Sequence, residues 1–277
     1  MTLRRPLRGS VSTRHSSVPV RRGPTIRRSS SGFGPTRAVA LLVVILSGLA
    51  IYGAGASSAF GYRRLELSGA IHTDELSVRA ELGVSDGTNL FSLATDGIVE
   101  RLRRLPAVTG ATIEVALPDT IRIRLAERRP ILVWTVADRR LLVDADRVAF
   151  AQAGDVRDLP IVDDRRSATA GLGVGAILDP VDFDAATRLA ALHPSDLGSG
   201  AAALHVSIRD ERGFALDSGA KGWTAIFGFF TPNLRKTELI PGQVRLLRSL
   251  LAGREETVAT IILADEKSGT FTLKATP

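Results

Sequence analysis

The sequence predicts an α+β protein with a single N-terminal transmembrane helix, a β-α-α-β-β module, and then a mixed antiparallel β domain with flanking helices. Three observations predict this. Residues 38–60 run for 23 positions without a charge. From Gly61 onward, short runs alternate apolar and polar residues, the period of a half-buried strand. Helical apolar spacing occurs only in brief stretches between those runs.

The uncharged run comes first. At about 1.5 Å per residue, 23 helical residues cover roughly 34 Å, enough for a bilayer core of about 30 Å. The 37 residues before it hold nine Arg and no acid. Basic flanks stay in the cytoplasm, so Arg27, Arg28 and Arg37 are the nearest topology determinants. The expected orientation puts the N-terminus in the cytoplasm and everything from Gly61 outside it. Small residues at 54–59 resemble a signal-peptide cleavage site. The long basic region and long apolar run favour an uncleaved anchor.

The formal net charge is +7, and the tail alone supplies +9, so the other 240 residues sum to −2. The high isoelectric point therefore belongs to the tail. It is no argument for nucleic-acid binding by the folded part. The tail is rich in Ser, Pro, Gly and Arg and is expected to be disordered. There is no Cys, which excludes thiol nucleophiles, Cys-based zinc sites and Cys-ligated iron–sulfur clusters.

After the span, residues 62–68 read as a strand with Leu65 and Leu67 inward, and Gly69 ends it. Thr73 is expected to cap a short helix with Asp74 and Glu75 in its first turn. Leu76, Ala80 and the pair Val78/Leu82 form its apolar side, and Gly83 closes it. A second helix begins near Ser92 or Thr95. Ile98, Leu102 and Leu105 face inward, Arg101, Arg103 and Arg104 face outward, and Pro106 stops it. A hairpin follows. Ala111, Ile113, Val115 and Leu117 alternate with polar or small residues, Pro118-Asp119 turns, and Ile121, Ile123 and Leu125 alternate on the return.

This order and these residues resemble a POTRA domain, and more closely that of the FtsQ/DivIB family of bacterial cell-division proteins. The matching pieces are Leu67-Ser68-Gly69, Gly87-Thr88-Asn89-Leu90-Phe91, Leu105-Pro106-Ala107-Val108 with Ala111, Leu117-Pro118-Asp119-Thr120-Ile121, and Glu127-Arg128-Arg129-Pro130. The resemblance continues to about Lys274. The expected division is a cytoplasmic tail at 1–37, a signal anchor at 38–60, a POTRA domain at 61–129 and an FtsQ-type β domain at 130–277.

Within that last part, residues 131–136 and 141–144 read as paired strands. Arg147 stands where the family resemblance leads one to expect Gly. Leu159-Pro160-Ile161-Val162 also fits the family. Residues 182–192 read as a helix with Phe183, Ala186, Leu189 and Ala190 inward. Three strands are expected at 204–209, 214–217 and 223–228, and two more at 257–263 and 269–274. Between these sets, Val244, Leu247, Leu250 and Leu251 mark a helix. Two departures from the family are Phe229, where a basic residue often follows the Gly, and Pro241, expected to interrupt that helix.

A search for chemistry finds little. His15, His72, His193 and His205 are isolated from one another and from carboxylates at ligand spacing. Gly171-Leu-Gly-Val-Gly175 lacks the spacing of a dinucleotide loop, and Asp144-Ala-Asp146 lacks the rest of a calcium loop. Ser218-Gly-Ala-Lys221 and Lys267-Ser268-Gly269 imitate the motifs of penicillin-binding acyl enzymes. That mechanism needs Ser to open a helix with Lys one turn later, whereas Ser218 lies between two strand-like runs. A hairpin turn is expected there. No catalytic residue, metal site or cofactor is predicted.

What remains is main chain. A last strand at a sheet edge has free N–H and C=O groups that invite a partner strand. In the FtsQ/DivIB family the late strand and its preceding turn accept membrane-anchored coiled-coil partners called FtsB or DivIC, with FtsL bound to those. Carried over, the resemblance assigns Ser268 and Gly269 to the turn and Thr270, Phe271, Thr272, Leu273 and Lys274 to the receiving strand. It implies a bitopic scaffold of the division septum that contacts other divisome components. It implies neither a small-molecule substrate nor a specific nucleic acid. Arg101, Arg103 and Arg104 are candidates for a second docking face. The alternatives are a POTRA-bearing secretion or outer-membrane assembly factor, and an exported acyl enzyme using Ser218 and Lys221.

Overall fold

The computed structural model describes residues 34–156, 158–220 and 222–275. Arg27 and Arg28, expected to set the topology, lie outside the described residues with most of the basic tail, as does Lys221. The chain divides at Tyr52/Gly53 into an N-terminal unit and a larger body.

Helix α1 (Pro35–Ala56) contains one stretch, Pro35–Gly53, long and apolar enough to cross a membrane. Pro35 sits at its start, where a missing N–H costs nothing. Arg37 lies in its first turn, and Val39 to Tyr52 leave their large apolar side chains uncovered.

The larger body is α+β. Its first module runs β1 (Arg64–Ser68), α2 (Glu75–Leu82), α3 (Asp96–Leu102), β2 (Val108–Ala116) and β3 (Thr120–Glu127). Strand β3 is central in the order β1-β3-β2, parallel to β1 and antiparallel to β2. Ile121, Ile123 and Leu125 of β3 are buried against Val78 and Leu82 of α2 and Ile98 and Leu102 of α3. Gly69 has φ +77°, and a Cβ there would lie 2.2 Å from the Leu125 carbonyl oxygen, so only glycine fits.

Three local expectations fail here, each for a physical reason. The cap of α2 is Asp74, whose carboxylate accepts the Ser77 N–H at 2.9 Å, which starts the helix one residue later than Thr73 would, while the Thr73 N–H is held by Glu127. Leu76 and Ala80 are exposed, since an eight-residue helix buries a single stripe and Val78/Leu82 fill it. Leu117 lies in the hairpin turn and is exposed rather than inward.

The second module is a nine-stranded mixed sheet. Its strands are β4 (Leu132–Val136), β5 (Arg139–Val143), β6 (Ala149–Gln152), β7 (Ile161–Asp164), β8 (His205–Arg209), β9 (Gly213–Asp217), β10 (Thr224–Gly228), β11 (Val258–Leu263) and β12 (Gly269–Leu273). Their order is β12-β11-β10-β9-β8-β7-β4-β5-β6. Helices α4 (Pro180–Ala190) and α5 (Ile240–Leu251) cover one face. Trp134, Ile208, Phe214, Leu216, Trp223, Phe227 and Ile261 form its core with Leu189 and Leu247 from the helices.

Pro241 does not interrupt α5. It occupies the first turn, where the N–H has no intrahelical acceptor anyway. Arg147 does take the conformation expected of glycine, with φ +70°. That costs about 1–2 kcal/mol for a side chain with a Cβ. Hydrogen bonds between Arg147 and Leu178, and from Arg147 N–H to the Asp144 carbonyl, hold the turn.

The modules meet where Ala107 joins Val133, Leu142, Phe150 and Ala151 in a small cluster. His72 packs edge-on against Phe150 with centroids 5.4 Å apart.

Candidate partner-binding edge

The last strand, β12, is the outermost strand of the large sheet. It pairs antiparallel with β11: Gly269 opposite Leu263, Thr270 opposite Ile262, Phe271 opposite Ile261, Thr272 opposite Thr260. The Ser268 carbonyl accepts from Ala264 N–H at 2.9 Å, and Lys274 N–H donates to Thr257 at 2.8 Å. Backbone direction alternates along a strand. The even-numbered residues therefore face β11, and Gly269, Phe271 and Leu273 turn their N–H and C=O groups to the open edge.

The opposite edge of the sheet is capped at the start of β6. There Ala149 N–H donates to Ala176 O at 2.9 Å and Gly175 N–H donates to Ala149 O at 2.7 Å. Val148 also bridges to Ile177. Among the described residues, no main chain pairs with the outer side of residues 269–273.

The turn before β12 is preorganised. Asp265 Oδ1 accepts Lys267 N–H at 2.7 Å and Ser268 N–H at 2.6 Å. Those two N–H groups, Lys267 first, hold the Asp265 carboxyl below its ordinary value. Gly242 of α5 is also required here, since a Cβ would come within 2.4 Å of Glu266 Cβ.

At the far end, Glu255 gathers the Ser199 hydroxyl, Gly200 N–H at 2.9 Å and Trp223 Nε1–H at 3.1 Å. Burial pushes this carboxyl up, but these donors outweigh it, with the Lys274 charge adding to them, and hold it low. Arg254 lies over the Phe271 ring at 5.7 Å. Sequence reasoning found the strand but missed Arg254 and Glu255, whose role appears only once the α5–β11 turn is placed beside it. It also missed Arg235, whose Nη2 donates to Phe227 O at 2.5 Å and Leu263 O at 2.6 Å, tying β10 to β11.

The other singled-out residues are not brought together with this edge. Arg101 does not face outward. Its guanidinium donates to the Glu81 and Leu82 carbonyls at 2.8 and 2.9 Å, closing the C-terminus of α2. Arg103 is exposed and pairs with Glu100 at 3.0 Å, and Arg104 is exposed. The Ser218 hydroxyl accepts Trp223 N–H at 2.7 Å and donates to Trp223 O at 3.1 Å, closing the β9–β10 hairpin. Among the described residues, no group of three or more His, Asp or Glu is placed to hold a metal.

Comparison with known proteins adds a family. The POTRA domain, FtsQ-type, matches residues 60–128. The chain is 29% identical over 127 residues to Cell division protein FtsQ of Mycobacteroides abscessus, covering 44% of this chain and 41% of that protein. It is 33% identical over 125 residues to Cell division protein FtsQ of Mycolicibacterium smegmatis, covering 45% of this chain and 36% of that protein. With Cell division protein FtsQ of Koribacter versatilis the identity is 30% over 143 residues, covering 47% of this chain and 40% of that protein. The matched stretch thus spans about two fifths of the length of these curated relatives.

Proposed function

We propose that this chain, whose residues 60–128 match the FtsQ-type POTRA domain and which is similar to proteins named Cell division protein FtsQ, is a non-enzymatic, single-pass scaffold of the bacterial division machinery. Helix α1 anchors it in the cytoplasmic membrane. Residues 1–37 lie in the cytoplasm, residues 38–60 cross, and residues 61–129 and 130–277 work outside as POTRA and β domains. Residues 268–274 receive a strand from an FtsB/DivIC-type protein, which brings an FtsL-type protein with it. The complex links cytoplasmic division components to septal peptidoglycan synthesis and gathers at the septum. Arg103 and Arg104 remain available to other divisome components; Arg101 is committed to α2.

The observation that carries this reading is the outer edge of β12, with which no described residue pairs, in a sheet whose other edge is capped at Ala149. Backbone pairing needs no particular side chain, so it is compatible with Lys274 at the end of the strand, where the family resemblance leads one to expect an aromatic. The arginine-rich tail supports the orientation, because positive flanks are retained on the cytoplasmic side. A lone anchor with one small docking edge gains avidity from assembly in a multiprotein complex.

The test is photocrosslinking in dividing cells from single positions 270–274 of the full chain. Capture of a membrane-anchored coiled-coil division protein supports the proposal. Failure from all five positions, with the protein present at normal levels, overturns strand addition. A reporter fused after Pro277 that is active only in the cytoplasm overturns the orientation.

A further inference from the structure

Resting on that reading, we infer that the strand received at β12 is two-faced, with large apolar side chains on the α5 side and small β-branched or hydroxyl side chains on the other. The register of β12 on β11 carries this inference. Phe271 pairs with Ile261, Leu273 with Val258 and Gly269 with Leu263. All three β11 partners are fully buried in the core beneath α5. Directly paired residues share a face, so Gly269, Phe271 and Leu273 lie on the α5 side.

That side forms an unfinished apolar shelf. Phe271 and Leu273 are 39% and 61% exposed. A Cβ on Gly269 would touch Leu246 and Leu250 of α5, each at 3.3 Å, so these half-buried leucines flank the start of the strand. Arg254 closes the shelf over the Phe271 ring. The other face differs. Thr224, Thr260 and Thr272 form one row across β10, β11 and β12, and Ile226, Ile262 and Thr270 form the next. Ile262, Thr270 and Thr272 are exposed.

The residues that turn their backbone outward are the same ones whose side chains point to the shelf. A strand bonded to Gly269, Phe271 and Leu273 therefore sets its directly opposite side chains on the α5 side. This holds for parallel and antiparallel addition alike, because a paired residue shares its partner's face in both. Water is excluded from the shelf only if those side chains are large and apolar. The alternate positions extend the Thr224–Thr260–Thr272 row and the Ile226–Ile262–Thr270 row, both β-branched throughout, at the strand spacing of about 4.8 Å, where β-branched residues pack best.

The test uses the full chain in lipid nanodiscs and two fluorescent peptides of equal composition. One has the core Leu-Thr-Leu-Thr-Leu, the other Leu-Leu-Leu-Thr-Thr. The alternating peptide is expected to bind at least about tenfold more tightly. The double variant Phe271→Ser, Leu273→Ser keeps the backbone edge and is expected to erase that difference. Thr270→Ala with Thr272→Ala is expected to preserve it. A photoreactive group at a Leu position should label Leu246, Leu250 or Arg254, and one at a Thr position should label Ile262 or Thr272. Equal binding of the two peptides, or labelling with the faces reversed, overturns the two-faced strand while leaving strand addition standing. Absence of any labelling around residues 269–273 overturns both.

Discussion

Glu127 and Arg128 are adjacent at the end of β3 and brace opposite sides of the junction between the modules. The Glu127 carboxylate accepts backbone N–H from Ile71, His72 and Thr73 at 2.8, 2.8 and 2.9 Å, closing the β1–α2 loop of its own module. Arg128 turns the other way. Its Nη1 reaches Asp144 Oδ2 at 2.5 Å, and its Nε donates to Pro106 O at 3.0 Å. Asp144 in turn accepts Val148 N–H at 2.8 Å. One dipeptide thus fixes a loop behind it and a turn ahead of it.

Asp144→Ala is expected to destabilise the body by about 2–4 kcal/mol, because it strands a partly buried guanidinium and a backbone N–H. Asp144→Asn should cost less, since it keeps an acceptor. Denaturant unfolding of the full chain in detergent measures this. Loss of a single transition would show that the ion pair also couples the two modules.

Acid should weaken the β1–α2 closure. Burial pushes the Glu127 carboxyl up, but the hydrogen bonds from Thr73, His72 and Ile71 outweigh it, so its folded value lies below the usual 4.5. Its stabilisation is therefore present above pH 4.5 and is lost as pH falls through the lower folded value. Glu127→Gln should be less stable near neutrality and should lose less on acidification. Parallel unfolding of both proteins between neutral and acid pH measures the difference, which cancels the contributions of Asp74, Asp184, Glu255 and Asp265.

Two proline substitutions test the direction of the backbone at the edge. The Thr272 N–H faces β11, so Thr272→Pro removes a ladder hydrogen bond and should cost about 2–3 kcal/mol. The Phe271 N–H faces outward, so Phe271→Pro should cost about 1 kcal/mol in unfolding. Phe271→Pro should nevertheless abolish photocrosslinking to the partner. Equal destabilisation by the two would contradict the alternation.

Ser218 is expected to be structural. Ser218→Ala removes two hydrogen bonds to Trp223 and should cost about 1–2 kcal/mol. Mass spectrometry after exposure to a β-lactam probe should find no adduct at Ser218. A covalent adduct there would support an acyl enzyme instead.

The sequence discloses what repeats and hides what is conditional. Ile121, Ile123 and Leu125 alternate, and their burial follows from that alternation. The final strand could be read from its alternation, but its place at the edge needed the sheet order. Arg101 shows why side chains at the site are harder. Helical spacing leaves it beside Arg103 and Arg104, yet two open carbonyls at the end of α2 claim it. Asp74 rather than Thr73 caps α2, and the Thr73 amide goes to Glu127, 54 positions later. No local pattern contains that information. Arg254 over Phe271 is another nonlocal pairing, created by the turn between α5 and β11.

The margin at β6 is capped at Ala149, whereas no described residue pairs with the margin at β12. A donor strand added at β12 fills that margin, so each copy should take one donor through this route. A bare margin is also indifferent to whose main chain meets it. When this protein outnumbers its donor, two copies can zip together along residues 269–273, and donor strands then compete with self-pairing. Cells making excess protein without donor should therefore accumulate pairs that residue-271 crosslinks trap, and supplying donor should dissolve them.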